Sequence, residues 1–556
     1  MQTGYGSEHA ATRLLTFLTG SFMTLLTRHW RLCTLLLLFV LSGCATRAPL
    51  ADFERPASHA LAADTGGPLG QSVNAASVTH ADQSGFYLLV HGQEAFEARL
   101  ALIQQARTSL DLQYYTALQD HTGTVLLRAL TAAARRGVRV RLLLDDLNLG
   151  NPDGMLAIMA VQPNFEVRVF NPLTTGGRSM FARAGALFAD YDHLERRMHN
   201  KSLIADGVLA IVGGRNLADQ YFDARPDMNF RDLDVLAAGQ LPGKLETSFD
   251  HYWNSKESYP LQALESRPPT PQAIASWQAG TSAPPPPEDN KEPAPMRIPD
   301  AASADDLLAK ATHSLVWAQS WLAADNPDKV EADTASAPAD SKPGKGLFLA
   351  AQRAQHEFII MSAYFVPRDG GTQFLGQMEQ RGVAVKVLTN SLASTDVAAV
   401  HSAWRKYRKA LIASGVEVHE FRPVAGVHGA ALSTGSSRAS LHTKAYVVDR
   451  QILMIGSFNL DPRSVNLNTE QAVLIKSPEL AGQVAHLYDA AATPKYSYKL
   501  ELAPPRRPDD TPQSRQLRWI GQEDGKDETW TSEPDAGMWR RMLSGVVGLF
   551  PADDEL

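Results

Sequence analysis

The sequence predicts an α/β protein of two homologous halves, each a mixed β-sheet flanked by helices, joined as a pseudo-dimer with its site at the interface. Three observations carry that expectation. Residues 109–115 alternate as a strand, residues 125–134 read as a helix rich in Leu and Ala, and residues 138–144 form a second strand after the stop at Gly137. Strand, helix, strand at this spacing is a βαβ unit and calls for parallel strands within a mixed sheet. The same order returns as a strand over 357–365, a helix over 374–380 and a strand over 383–388. There Arg381-Gly382-Val383 echoes Arg136-Gly137-Val138 at an offset of 245 residues, a period far too long for a solenoid. Third, a polar motif built on His199 and His442 occurs twice, 243 residues apart.

The chain begins with a segment of a different kind. Arg28, His29 and Arg31 precede an apolar run that ends in Leu41-Ser42-Gly43-Cys44. Basic residues, a short apolar run and then small residues make a secretory signal peptide, and the run is short for a membrane span. Residues 1–22 read as an upstream extension, because Met23 would start a signal peptide of ordinary length. Leu41-Ser42-Gly43-Cys44 is similar to the lipobox of bacterial lipoproteins. That resemblance implies cleavage before Cys44, acylation of its thiol and a place in the cell envelope facing the periplasm. The chain's cysteines are Cys33 and Cys44, too few for a disulfide framework or a multi-thiolate metal site.

Further along, residues 45–84 are small and polar and read as a flexible tether. The first half is expected over 85–264. A Pro-rich linker around Pro284-Pro285-Pro286-Pro287 is expected over 265–300. The second half follows over 301–500, with an exposed polar loop over 325–346. Residues 501–556 form a tail, in which Trp539-Arg540-Arg541-Met542-Leu543 reads equally as an interfacial helix or as a terminal helix docked on the body. Net charge is −7, which is not the balance of a nucleic-acid binder. No nucleic-acid partner is expected, and the sequence names no protein partner.

The chemistry lies in the repeated motif. His199, Lys201, Asp206, Gly213, Gly214 and Asn216 share their spacing with His442, Lys444, Asp449, Gly456, Ser457 and Asn459. Both copies fit H-x-K-x4-D-x6-G-[GS]-x-N. A single H-x-K carries almost no information. Two copies in register with an independent duplication are a strong signal. On a strand, His and Lys two residues apart point to the same face and reach one pocket. The glycine-rich turn lets backbone approach a phosphate, and Asn216 and Asn459 can donate side-chain amide hydrogen bonds. Two lysines, two asparagines and backbone donors suit one phosphodiester and the charge of its transition state. No metal or cofactor is expected, because the cations are built in, and His193, His419 and His428 do not cluster at metal spacing. Asp232 and Glu470 follow the two glycine-rich turns and are the candidates for orienting the imidazoles.

With these residues in view, the chain resembles the phospholipase D superfamily over about residues 85–500, with each copy matching the HKD motif at every defining position. Within it, the chain looks most like the bacterial cardiolipin synthases of the C type. Arg196-Arg197-Met198-His199-Asn200-Lys201-Ser202, Phe230-Arg231-Asp232-Leu233-Asp234-Val235, Leu388-Thr389-Asn390-Ser391-Leu392 and the stretch from Ile455 to Ser464 carry that closer match. The lipoprotein signal and the proline-rich excursion depart from that pattern. The resemblance implies transfer of a phosphatidyl group through a phosphohistidine, with His199 as nucleophile and His442 as acid and base. It also implies that Asp206 and Asp449 serve structure more than the chemical step. The expected partners are membrane phospholipids: phosphatidylglycerol, and phosphatidylethanolamine as a second donor. The motif by itself leaves open hydrolysis to phosphatidic acid, a nuclease, and an inactive lipoprotein scaffold. It does not order the two histidines.

Overall fold

The computed structural model describes residues 53–147, 154–172, 195–225, 227–264, 268–279, 301–331, 341–423 and 438–547. Residues 54–173 and 186–556 form one compact unit, and 1–53 with 174–185 form another. The second of these, with the signal segment and Cys44, lies outside the described residues except for Phe53.

The first half contributes strands β1 (Ser84–Leu89), β2 (Ser109–Tyr114), β3 (Arg139–Asp145), β4 (Phe165–Phe170), β5 (Ser202–Ala205), β6 (Leu209–Gly213), β7 (Met228–Arg231), β8 (Asp234–Gly239) and β9 (Ser258–Pro260). The second contributes β10 (Val316–Ala324), β11 (Glu357–Ser362), β12 (Ala384–Asn390), β13 (Glu417–Phe421), β14 (Arg438–Leu441), β15 (Lys444–Val448), β16 (Ile452–Gly456), β17 (Gln471–Lys476) and β18 (Ser497–Leu502). β19 (Leu517–Glu523) and β20 (Lys526–Trp530) follow. Among the described residues these α-helices accompany them: α1 (Pro68–Thr79), α2 (Gly92–Gln105), α3 (His121–Arg135), α4 (Met155–Ala160), α5 (Gln240–Trp253), α6 (Pro271–Gln278), α7 (Ala301–His313), α8 (Lys342–Gln352), α9 (Arg368–Gln380), α10 (Ala398–Trp404), α11 (Arg408–Ala413), α12 (Pro478–Ala491) and α13 (Met538–Val547).

In the first sheet the strands lie in the order β1-β8-β6-β5-β2-β3-β4-β9. In the second the order is β10-β17-β16-β15-β11-β12-β13-β18. The two orders match position by position, so the duplication in the sequence is a duplication of topology. The central strands β2, β3 and β4 are parallel, as are β11, β12 and β13. They are buried along most of their length, and the alternating polar positions of β2 are buried with the rest, Asp111 bonding Arg141 of β3. Gly137 at φ +97° and Gly382 at φ +85° end α3 and α9 in the left-handed region, the expected role of a glycine after a helix.

The halves meet in three ways. Edge strands β1 and β10 pair antiparallel, with Gly85 opposite Trp317. Strand β7 of one half pairs in parallel with β14 of the other. One apolar core takes Val212 and Val235 from the first half and Ile455 and Val473 from the second, with Phe249 of α5 and Val484 of α12. A core that crosses the boundary resists separation of the halves, since its area would return to water.

Several expectations are corrected. The stretch expected as a flexible tether holds α1, and residues before it are tied down: Arg141 Nη1 donates to the Ser58 carbonyl (2.9 Å) and Ala60 N donates to Asp250 (2.8 Å). The expected linker contains α6, while 280–300 fall outside the described residues. The polar stretch from Asp325 is not an exposed loop at its ends. Asp325, Lys329 and Ser341 are buried, because the Asp325 carboxylate accepts from Lys329 Nζ (2.7 Å) and from the backbone N–H groups of Lys342 (2.7 Å) and Glu470 (3.1 Å). Past residue 500, β19 and β20 extend the second sheet. The terminal helix is docked on the body. Ser544 of α13 bonds Ser402 of α10, and Met538 and Trp539 stay exposed.

The motif aspartates belong to this framework. Asp206 and Asp449 sit at φ +53° and +51° in the turns after β5 and β15. The Asp206 carboxylate accepts from the N–H groups of Arg107, Thr108 and Ser109 at 2.8–3.1 Å. Asp449 accepts from those of Gln355, His356 and Glu357 at 2.7–3.2 Å. Each clasps its hairpin to the start of β2 or β11, at the end of the hairpin away from His and Lys. Partial burial pushes the Asp449 carboxyl up, and its three amide donors outweigh that and hold it below the usual range. We expect Asp206→Ala and Asp449→Ala each to lower the unfolding free energy by about 1–3 kcal/mol, measured by urea titration. Specific activity per folded molecule should survive; a loss as deep as that from changing a histidine would place these carboxylates in the chemistry instead.

Candidate active site

The two histidines leave their hairpins as extended chain. The sequence suggests a strand running through His and Lys, but β5 begins at Ser202 and β15 at Lys444. The reason is a competing partner. His199 N donates to the Thr469 carbonyl and Thr469 N returns a bond to Arg197, both at 2.9 Å. His442 N donates to the Arg231 carbonyl at 2.8 Å, and Thr443 Oγ1 to the same oxygen at 2.9 Å. Each histidine is thus zipped to the backbone of the opposite half, one residue before that half's carboxylate.

The carboxylates then reach the rings. Glu470 oxygens lie 2.9 and 3.0 Å from His199 Nδ1. Asp232 Oδ2 lies 2.6 Å from His442 Nδ1. The pairs are crossed, since Glu470 belongs to the second half and Asp232 to the first. An ionised carboxylate only accepts, so it fixes the ring proton on Nδ1 and leaves the Nε2 lone pair for chemistry. All four side chains are buried, with His199 9% and His442 5% exposed. Burial is what lowers both imidazoles. His199 falls to about 4, with Glu470 opposing and Lys201 reinforcing. His442 falls well below the usual range, with Lys444 reinforcing. For Glu470, burial acts upward, but His199, Lys201 and Ser457 together win and its carboxyl is lowered. For Asp232, burial wins over Lys444 and Arg215 and its carboxyl is raised.

Lys201 and Lys444 are buried beside the rings, and each Nζ donates to the carbonyl of its own motif histidine. Lys444 Nζ also lies 3.0 Å from His442 Nδ1, and Lys201 sits 5.4 Å above the Tyr115 ring. Burial lowers Lys201 to about 7 against the pull of Glu470, and lowers Lys444 as well. These are cations held poorly solvated in a crowded site. An incoming anion would raise both lysines and both imidazoles.

The remaining motif residues serve mostly to build this arrangement. A Cβ on Gly214 would stand 2.3 Å from the Asp232 carboxylate, and one on Gly213 would stand 2.1 Å from that of Asp234. On Gly456 it would meet the Gln471 carbonyl at 2.2 Å. The glycines make room for the neighbouring strand and its acids. In the second copy, Ser457 Oγ donates to Glu470 instead. Asn216 Oδ1 accepts from Thr116 N (3.2 Å) and its Nδ2 donates to the Tyr221 hydroxyl (2.8 Å). Asn459 Oδ1 is buried with no hydrogen-bond partner among the described residues.

Other residues carry no motif signal yet set the geometry. Asp145, the last residue of β3, accepts from Met198 N at 2.9 Å. Asn390, the last of β12, accepts from Leu441 N at 2.9 Å and donates to Leu441 O at 2.7 Å. Each fixes the residue just before a motif histidine. Their one legible signal is position, at the carboxyl end of a parallel strand. Ser464 Oγ supports Glu470 at 2.9 Å. Tyr221 and Phe230 pack on the His442 ring, and Tyr115 packs on that of His199. Among the described residues no group of His, Cys, Asp and Glu stands as a metal cage, and no helix is long and apolar enough to cross a membrane.

Residues 100–253 and 348–491 match the family described as "Cardiolipin synthase, PLD-like domain". The chain is 35% identical to cardiolipin synthase C of Escherichia coli (strain K12) over 488 residues, covering 85% of this chain and 96% of that protein. It is 26% identical to cardiolipin synthase A of Pseudomonas putida (strain GB-1), over 72% of this chain and 67% of that one. Among solved structures, a phosphatidylserine synthase of Haemophilus influenzae Rd KW20 aligns with a TM-score of 0.49 at 12% identity, over 77% of this chain and 91% of that one.

The depressed imidazoles make stability depend on pH. An imidazole whose folded-state pKa is depressed contributes stability that is fully present above its unfolded value and is lost as pH falls through the folded one. For His199 that window runs from the ordinary 6.5 down to about 4. The slope approaches about 1.4 kcal/mol per pH unit for each such ring. Urea midpoints measured across this window should fall more steeply in the wild type than in His199→Gln. Equal slopes would mean that the ring is protonated in the folded, ligand-free protein.

Proposed function

Because the chain belongs to the cardiolipin synthase family with PLD-like domains, and is a phospholipase D-type phosphatidyltransferase acting on phospholipid, we propose that it makes cardiolipin from phosphatidylglycerol and a second phospholipid through a phosphohistidine. The observation that carries this reading is the crossed pair of carboxylate-bound imidazoles with a buried lysine beside each, close enough that Lys201 and His199 act on His442.

In the first step Nε2 of His199 attacks phosphorus of the donor lipid. An N–P bond forms, and the P–O bond to the headgroup alcohol breaks. His442, charged once the anionic diester is bound, gives its Nε2 proton to the departing oxygen. In the second step the now neutral His442 takes the proton of the acceptor's glycerol hydroxyl. That oxygen attacks phosphorus, the N–P bond breaks, and His199 is restored. Lys201 and Lys444 counter the charge that builds on the phosphoryl oxygens. Asn216 and Asn459 stand at the mouths of the two glycine-rich turns and add donors to those oxygens. Asp232 and Glu470 are positioning residues that hold the rings and favour their charged forms. The donor is phosphatidylglycerol or phosphatidylethanolamine. The protein sits at the envelope membrane through a lipid on Cys44.

Two experiments test this. Purified protein is given labelled phosphatidylglycerol vesicles, with and without phosphatidylethanolamine, and products are resolved by mass. We expect cardiolipin, reduced about 10²- to 10⁴-fold in His442→Ala and absent in His199→Ala. The His442→Ala protein, denatured at mildly alkaline pH because an N–P bond to imidazole is lost in acid, should carry its phosphoryl adduct on the peptide containing His199; an adduct on the His442 peptide of a His199→Ala protein would reverse the roles. Phosphatidic acid as the sole product would make the enzyme a hydrolase and sink the transfer reading. For the anchor, Cys44→Ser should move the protein from the membrane to the soluble fraction, and unchanged membrane retention would refute acylation there.

A further inference from the structure

We propose that an apolar pocket between α8 and α9 receives an acyl chain of one of the two phospholipids. This inference rests on the phospholipid reading of the site. The cavity measures about 320 Å³, within the size range of small-molecule sites. Its floor is core: Phe358, Leu375 and Phe458 are all buried. Its mouth is formed by Phe348 and Phe374, whose rings lie 5.0 Å apart. Ser341 and Lys345 are the polar residues at its edge.

The pocket shares a wall with the reactive site. Phe458 and Leu460 line it, and between them stands Asn459 of the second motif. Ser457, one residue earlier, donates its hydroxyl to Glu470. Val465 also lines the pocket, and its neighbour Ser464 donates to the same carboxylate. One stretch of chain therefore shows carboxylate-binding hydroxyls to the imidazole side and apolar side chains to the pocket. A lipid whose phosphate lies against the motif has its hydrocarbon within a few residues of this opening. The interior chemistry suits an alkyl chain, since the buried polar side chain in the lining, Ser341, already accepts from Gly344 N.

The duplication sharpens the argument. Helices α2 and α3 occupy the matching places in the first half, after β1 and β2. There they pack on one another, α7 packs over α2, and Phe96, Leu100, Leu126 and Leu127 are buried. Helix α8 packs on strands β10, β15 and β17, as α2 packs on β1 and β5, but leaves Phe348 48% and Leu349 54% exposed. A repeated scaffold that is closed on one side and open on the other distinguishes its two lipids. The half with the pocket grips one by its chain.

The test uses the full chain in detergent mixed micelles. Leu347→Trp and Phe374→Trp each fill the pocket with apolar bulk and bury no new charge. The readout is the ratio of kcat/KM for dioleoyl over dihexanoyl phosphatidylglycerol, which cancels partial loss of folded protein. We expect the ratio to fall about tenfold, the equivalent of about two methylenes removed from an apolar site. A ratio equal to the wild type in both variants overturns the pocket. A phosphatidylglycerol bearing a diazirine at the end of its acyl chain gives a second measure: labelling within 342–352 or 368–380 supports the pocket, and labelling confined elsewhere overturns it. If wild-type protein cleaves bis(4-nitrophenyl) phosphate but turns over no phosphatidylglycerol, the proposed function fails, and the crosslink still decides whether the pocket takes a chain.

Discussion

Each motif imidazole hydrogen-bonds a carboxylate from the opposite half, and the rest of the site follows from that crossing. His199 needs Glu470 and His442 needs Asp232. Neither half on its own holds a complete pair. The β7–β14 pairing and the Met198–Thr469 bridge bring the halves into register at these two points. The shared core then holds the register, because sliding one half would expose apolar side chains such as Val235 and Val473 to water. Docking of the halves and assembly of the reactive groups are the same event.

The cost of this arrangement is electrostatic. Two lysines and two carboxylates lie buried, where isolated charges are unfavourable by several kcal/mol each. Serine hydroxyls and backbone N–H groups satisfy the acids. The lysines donate to the carbonyls of their own motif histidines and feel the field of those acids, and Lys201 falls to about 7. Without an anion, the site resolves its surplus of positive groups by keeping both imidazoles neutral. A phosphodiester completes the charge balance, and the same burial that weakens the free site strengthens every contact to that diester. Substrate binding and ring protonation are coupled for this reason.

The duplication is close in topology and loose in chemistry. Gly214 leaves space for the short Asp232, where Ser457 supplies a hydroxyl to the longer Glu470. Asp145 and Asn390 hold equivalent backbone positions with different charge; burial raises Asp145 to about 6. Helices α8 and α9 diverge where α2 and α3 close. The first two differences touch a ring's carboxylate or the residue before a motif histidine, the third flanks the 457–465 stretch, and together they make two similar half-sites unequal.

What the sequence determined by itself was local or repeated. The βαβ units, the stops at Gly137 and Gly382, the duplication and both H-x-K motifs follow from periodicity and spacing, which are properties of neighbours along the chain. Asp232 and Glu470 were legible only as acids after a turn; which ring each would meet was not, because 271 residues separate Glu470 from His199. The crowding at Gly213, Gly214 and Gly456 was not legible, because it comes from a strand remote in sequence. The contacts of Asp145, Asn390 and Asp325 were not legible, since each acts on backbone remote in sequence. Tertiary structure decided the crossing of the pairs, the depth of burial that sets their protonation, and the opening of one helix pair. Those are consequences of packing two sheets against one core, and no spacing within the chain encodes them.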